Sequence, residues 1–281
     1  MRERLALARY VLTENPVNLA ALLLLAILLF SALLGPALVP YDPLATNTAI
    51  ALNPPSAAHW FGTDQLGRDI FSRVVVATRI DLAIAFGAVL LSLSIGAMIG
   101  AAMGYFGGML DRVGGRIVDV LMAFPLFALA MGVVAALGNS VSSVVYATAV
   151  INLPFYVRLA RAEVSVRRGL GYVEAARIGG SSNLRILRVF LLPNILPTLV
   201  VQASVNLGWA VLNAAGLSFI GLGVRAPTPE WGIMVAEGAQ FILSGRWWLA
   251  AFPGAALMLA VFCFNLLGDG LRDIVDPRSR T

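Results

Sequence analysis

Six stretches of the chain stay apolar over the length a bilayer demands. The hydrocarbon core is about 30 Å thick, so a spanning helix needs roughly 20 apolar residues. Val17–Val39 is the first stretch, interrupted only by Asn18, Ser31 and a Gly35-Pro36 pair near its end. Leu82–Met103, Ile117–Leu137, Val141–Val157, Ile195–Leu217 and Trp247–Leu267 follow. The pattern predicts an all-α membrane protein with about six transmembrane helices, and Pro125 and Pro154 are expected to kink two of them. The segment 40–81 breaks the pattern. It holds Pro40, Pro43, Pro54 and Pro55 together with Asp42, Asp64, Asp69 and Asp81. That is turn chemistry, and it predicts a small element outside the membrane. Arg2, Arg4 and Arg9 ahead of the first stretch imitate a signal peptide. The stretch is long for one and no small-residue cleavage site follows, so it reads as a retained helix.

Composition supports lipid as the main solvent. The 281 residues are 59% hydrophobic and 12% charged, against about 25% charged in soluble domains. Net charge is +5, and every one of the 20 basic residues is arginine. The arginines sit between apolar runs, with no basic stretch interleaved with aromatics, which argues for membrane orientation and against nucleic acid. Arg2, Arg4, Arg9, Arg112, Arg116, Arg158, Arg161, Arg167, Arg168, Arg177, Arg185, Arg188, Arg272, Arg278 and Arg280 fall on one side of a six-span topology. Arg68, Arg73, Arg79, Arg225 and Arg246 fall on the other. The positive-inside rule then puts both termini in the cytoplasm, and the segments 40–81 and 225–246 outside. Trp247 and Trp248 beside Arg246 are expected in an interfacial belt.

The same inventory excludes several chemistries. Cys263 alone makes no intrachain disulfide and no cysteine metal cluster. His59 is the sole histidine and reads as an ordinary loop residue, with no G-x-S-x-G element to accompany it. A Walker A loop needs a lysine to reach the phosphates, and the chain has none. No catalytic or metal-binding residue is expected, and any ATP is bound by another subunit.

Within the second stretch, Ser92, Gly96, Gly100 and Gly104 recur every fourth residue, which predicts close approach of another helix. In the fifth, Gln202, Asn206 and Asn213 share one helical face. Two readings stay open for them: a polar translocation path, or bonds across to a neighbouring helix. Asp119, near the start of the third stretch, is expected to pair with Arg116 or Arg112.

The loop before the fifth stretch is the most informative. Tyr172–Ile178 reads as a short helix with small residues at Ala175 and Ala176, ended by Gly179 and Gly180. Ser181-Ser182-Asn183 offers caps for a second helix over Leu184–Leu192, and Pro193 and Pro197 mark its passage into the membrane. A compact helix with small side chains and one acid suits docking into a groove on a partner.

Glu174-Ala175-Ala176, Gly180 and Leu192-Pro193 at this spacing resemble the EAA loop of ABC importer permeases. Phe190 stands where that family usually has isoleucine. Further motifs extend the resemblance over nearly the whole chain. They are Phe61-Gly-Thr-Asp-Gln-Leu-Gly-Arg-Asp69 with Ser72-Arg73, and Gly104-Tyr-Phe-Gly-Gly108. Pro227-Thr-Pro-Glu-Trp-Gly232 and Asn265-Leu-Leu-Gly-Asp-Gly-Leu-Arg-Asp273 with Asp276-Pro277 complete the set. Together they are similar to the C-type permease of dipeptide, oligopeptide and nickel importers.

That resemblance implies a type I ABC importer permease fold with an extracytoplasmic segment after the first helix. It divides the chain into a first part at 1–39, an external segment at 40–79, a core permease domain at 80–268 with a coupling loop at about 158–194, and a cytoplasmic tail at 269–281. It implies a second related permease, two ATPases holding ATP and Mg, an external solute-binding protein, and a bacterial or archaeal plasma membrane. Glu174, Ala175, Ala176 and Gly180 would couple to the ATPase. Asp64, Arg68 and Asp69 are candidates for contact with the binding protein. Di- or oligopeptides are the expected solute, with nickel or another small solute as the alternative. An ion-coupled carrier would favour acids in mid-membrane and an inverted repeat, and neither is evident. A membrane-embedded enzyme lacks the residues to perform chemistry.

Overall fold

The computed structural model describes residues 16–275. Among them the chain forms α1 (Pro16–Leu38), α2 (Ile70–Phe106), α3 (Gly108–Ala123), α4 (Leu126–Leu137), α5 (Val141–Arg167), α6 (Gly171–Ile178), α7 (Asn183–Phe219), α8 (Trp231–Ala239) and α9 (Trp248–Val275), with no named strand. Five of these (α1, α2, α5, α7 and α9) are long and apolar enough to cross a membrane; α3 and α4 meet that measure only when taken together, and they are bent by 94° where they join. The N-terminal arginines, Arg278, Arg280 and Asp276-Pro277 lie outside the described residues.

The long α2 is the spine. Its 37 residues rise about 55 Å at 1.5 Å each, more than a bilayer core, so both ends protrude. Asp69 caps it, accepting from Ser72 N at 2.8 Å. The stripe expected to admit a neighbour does so, and the neighbour is α5. A β-carbon on Gly96 would stand 2.6 Å from Tyr156 Cβ, and one on Gly104 would stand 2.5 Å from the Arg161 carbonyl. α7, α9 and α1 close around the other side of α2 through one apolar cluster that includes Leu28, Val89, Leu199 and Phe264.

Several elements depart from the pattern reading. The third apolar stretch is broken: Phe124 is extended, as a residue before proline prefers, and α4 leaves α3 at 94°. α5 runs on to Arg167, so Arg158 and Arg161 sit on helix rather than loop. α7 contains a π-turn over Ile186–Leu191, just before Pro193. Proline lacks the amide and crowds the carbonyl four residues back, and a widened turn accommodates it. Pro193 and Pro197 therefore ride inside one helix. The segment 225–246 contains α8, which the apolar pattern did not reveal. Glu230 caps α8 through Gly232 N and Ile233 N at 2.9 and 2.8 Å. Trp231 pins it to α2, its indole donating to the Val74 carbonyl and its amide to Asp81. Trp247 is exposed as a belt residue would be, but Trp248 is buried. The Trp248 ring closes over Gly62, where a β-carbon would meet it at 2.9 Å.

Candidate functional site

Three regions carry the residues singled out by sequence. The first is α6. Its boundaries match the expected helix to within a residue. Gly180, at φ +78°, takes a conformation that L side chains resist. Its amide bonds Arg177 O, and Ser181 N bonds Ala176 O. These bonds close the helix in the manner of a glycine C-cap. The Ser182 hydroxyl then accepts from Arg185 N and starts α7.

The short helix is clamped to the end of the bundle. Val173 is fully buried in the cluster that holds Ile186, Leu187 and Leu191, and Ala176 is half-buried against it. Tyr105 donates to Asn183 Oδ1 at 2.8 Å, and Arg168 reaches the Gly104 and Tyr105 carbonyls. Glu174, Ala175 and Ile178 remain outside. Ile178 is 88% exposed and follows Glu174 by one helical turn. It escaped sequence reasoning; a bulky apolar residue just before a Gly-Gly stop was the available signal. The outward surface thus includes Glu174, Ala175 and Ile178, together with Tyr172 and Arg177, while Ala176 faces inward.

The second region is a cavity of about 260 Å³ between α4, α5 and α7. Gln202, Asn206 and Asn213 all line it, as does Asn152 from α5. Gln202 Nε2 donates to Asn206 Oδ1 at 3.0 Å. The amide nitrogen of Asn206 and the Tyr156 hydroxyl are buried here, and the two side chains interact with each other. Trp209 and Phe155 supply aromatic walls. Asn152 donates to the Thr148 carbonyl. Asn152, Tyr156 and Trp209 were missed. An asparagine within an apolar stretch was the signal for the first. The other two read as ordinary apolar filling until α5 and α7 are brought together.

The third region is the segment that links α1 to α2. Asp64, Arg68 and Asp69 are only 5, 3 and 3% exposed. Asp64 accepts from the backbone of Leu66 and Arg68 and from the Arg68 guanidinium. Arg73 lies 3.6 Å from the same carboxylate, and Arg68 reaches Glu237 on α8 at 3.4 Å. Asp69 caps α2 and also meets His59 Nδ1 at 2.9 Å. These side chains face each other inside the segment, and Tyr41, Trp60 and Leu66 are exposed around them. Asp119 also departs from expectation: its partner is Arg158 at 2.6 Å, brought over from α5.

Comparison with known proteins gives a consistent picture. The model of the family described as binding-protein-dependent transport system inner membrane component matches residues 96–281. The model of the N-terminal TM domain of oligopeptide transport permease C matches residues 4–55. The chain is 42% identical over 270 residues to a probable D,D-dipeptide transport system permease protein of Escherichia coli K12, covering 96% of this chain and 90% of that one. It is 41% identical to a dipeptide transport system permease protein of Alkalihalophilus pseudofirmus, covering 96% and 88%. It is 40% identical to the nickel transport system permease protein of E. coli K12, covering 92% of each. Among solved structures, the inward-facing MetNI methionine ABC transporter superposes with a TM-score of 0.58 at 22% identity, covering 72% of this chain and 96% of that one. This last likeness speaks to the fold alone.

Proposed function

The chain belongs to the family of binding-protein-dependent transport system inner membrane components, and on that premise we propose that it forms one half of the pore of an ATP-driven importer of di- or oligopeptides. A second permease of the same kind completes the pore. Two ATPases bind ATP and Mg and dock on α6. A solute-binding protein delivers from the opposite face. The ends of the chain and α6 lie on the cytoplasmic side of a plasma membrane, and the segments 40–79 and 225–246 lie outside.

One observation carries this reading. α6 is seated on the bundle by Val173 and Ala176 and tied on both flanks, by Arg168 before it and by the Tyr105–Asn183 bond after it, yet presents Glu174, Ala175 and Ile178 outward. A helix so mounted passes a push from a partner into α2 and α7 rather than absorbing it. Closure of the ATPases turns the pore outward, and release returns it inward. Gly180 sets the turn that aims α6. Ala176 seats it.

The cavity between α4, α5 and α7 supports peptides as solute. Its polar groups are the amides of Asn152, Gln202, Asn206 and Asn213, which match peptide N–H and C=O groups in both donor and acceptor capacity. It presents no carboxylate, imidazole or thiol, the groups on which nickel sites draw. Nickel remains the alternative on account of the relatives named for it. Asp64, Arg68 and Asp69 serve the binding protein indirectly, by shaping the segment whose exposed residues meet it.

The test is Ala175→Trp in the assembled transporter. Uptake should fall, together with ATPase co-purification or solute-stimulated hydrolysis, while membrane insertion persists. Uptake and co-purification both at the wild-type level would remove the coupling role of α6.

A further inference from the structure

The end of the bundle that carries α6 also holds a cleft of about 490 Å³ between α3 and the later turns of α5. Four arginines line it, Arg112 and Arg116 from α3 and Arg158 and Arg161 from α5, against two acids, Asp111 and Asp119. Both acids are already taken. Arg161 grips Asp111 through Nε and Nη2, and Arg158 holds Asp119. Arg112 is left with only the Met109 sulfur at 3.9 Å, and among the described residues Arg116 has no polar partner. The cleft therefore presents two guanidinium groups in search of an anion. Its floor is apolar, formed by Met103, Val118 and Val157.

The form of α3 indicates where that anion resides. Beyond Arg116 around the helix come Met109 and Val120, then Val113 and Ile117, all exposed. α3 is thus an amphipathic helix, basic on one side and bare and apolar on the other. It lies at 94° to α4, so with α4 along the bilayer normal α3 runs in the membrane plane. A helix of this kind rests at the headgroup boundary, apolar face toward the acyl chains. Basic pockets between transmembrane helices at that depth take anionic headgroups. A soluble anion would satisfy the arginines and leave the adjoining apolar face bare. One phospholipid satisfies both.

We propose that the α3–α5 cleft binds an anionic membrane phospholipid, its phosphate on Arg112 and Arg116 and its acyl chains along Met109, Val113 and Val120. The site abuts the α6 mount: Gly104 and Tyr105, whose carbonyls Arg168 holds, lie one turn before α3. A bound lipid would brace the coupling end of the bundle.

The experiment uses the assembled transporter, purified with its partners, and reads lipid retention and thermal midpoint without ATP or solute. The proposed function supplies only the assembly, so failure here leaves that reading intact and failure of the coupling test leaves this one readable. Nanodiscs of phosphatidylcholine, with and without phosphatidylglycerol, provide the lipid arm, and inorganic phosphate provides the soluble arm. Phosphatidylglycerol should be retained over phosphatidylcholine and raise the midpoint. Arg112→Gln/Arg116→Gln should reduce that retention by roughly tenfold or more, since each basic residue at headgroup level contributes about a factor of five. Arg112→Lys/Arg116→Lys should restore most of it. Equal retention by wild type and the double glutamine variant overturns the proposal. So does stabilisation by inorganic phosphate equal to that by phosphatidylglycerol. Crosslinking of Val113→Cys to the companion permease rather than to a photoactivatable phosphatidylglycerol overturns it as well.

Discussion

Gly100 of α2 lies so close to Val157 of α5 that a β-carbon on the glycine would stand 2.2 Å from the valine carbonyl oxygen. The obstacle is backbone on a packed helix, which cannot rotate away as a side chain can. Gly100→Ala should therefore separate the two helices. A loss of about 1–3 kcal/mol is expected, as for overpacked cores, read as a lower thermal midpoint of the purified subunit. Gly115→Ala, where a β-carbon meets nothing within 4 Å, is the control. Equal midpoints for the two variants would show that α2 and α5 are not locked at this crossing.

Asp64 holds Arg68 and Arg73 in a nearly dry environment. Asp64→Ala leaves Arg68 with Glu237 at the rim and Arg73 with only the Pro43 and Pro227 carbonyls. Removing one partner of such an arrangement costs about 3–5 kcal/mol, so the outer segment should become sensitive to limited proteolysis. Trp60→Ala removes an exposed ring from the same segment. It should keep protease resistance and weaken binding-protein docking. Resistance retained in Asp64→Ala would deny the buried cluster its structural role.

Ile178 offers a sharper probe of α6 than the alanines. Exposed as it is, its removal should alter stability by no more than about 0.5 kcal/mol. Ile178→Ser should nonetheless lower ATPase co-purification and uptake. Normal assembly and uptake would reassign the contact surface to Glu174 and Ala175 alone.

Asn206 lines the amide-walled cavity, accepts from Gln202 and meets Tyr156. Asn206→Leu removes the acceptor of the Gln202 amide, a loss of about 1–3 kcal/mol at most, so the variant is compared at matched expression and assembly. Peptide uptake should fall while binding-protein docking and ATPase assembly persist. Unchanged uptake would move the solute path away from this face of α7.

Burial pushes the Glu230 carboxyl above its usual range. A carboxyl whose pKa is raised on folding contributes stability that is fully present below the unfolded value. That stability is lost as pH climbs through the raised one. The Glu230 cap of α8, which meets Asp81 and Ser218, should therefore weaken from acidic toward neutral and alkaline pH. Protection of α8 amides, measured relative to the base-catalysed intrinsic exchange rate, should fall over that interval in wild type and stay flatter in Glu230→Gln. Identical profiles would exclude Glu230 as the titrating group.

Much of this molecule was legible in residue order because lipid imposes a one-dimensional rule. An apolar run long enough to span must form a helix that satisfies its own backbone. The spans, the small-residue stripe of α2 and the extent of α6 follow from that rule and from local cap chemistry at Gly179, Gly180 and Ser182. What tertiary structure alone decided concerns pairs far apart in sequence. Residue order could not say that Asp119 meets Arg158 and not its helical neighbours Arg112 and Arg116. That depends on α5 running on past Val157 alongside α3. Nor could it say that Asp64, Arg68 and Asp69 would turn inward. Their charges look solvated until α8, hidden in a loop, places Glu237 beside Arg68. Trp248 looked like a belt residue until Gly62 opened a seat for its ring. Local chemistry is written in neighbouring residues. Burial and charge pairing arise only when distant helices share a surface.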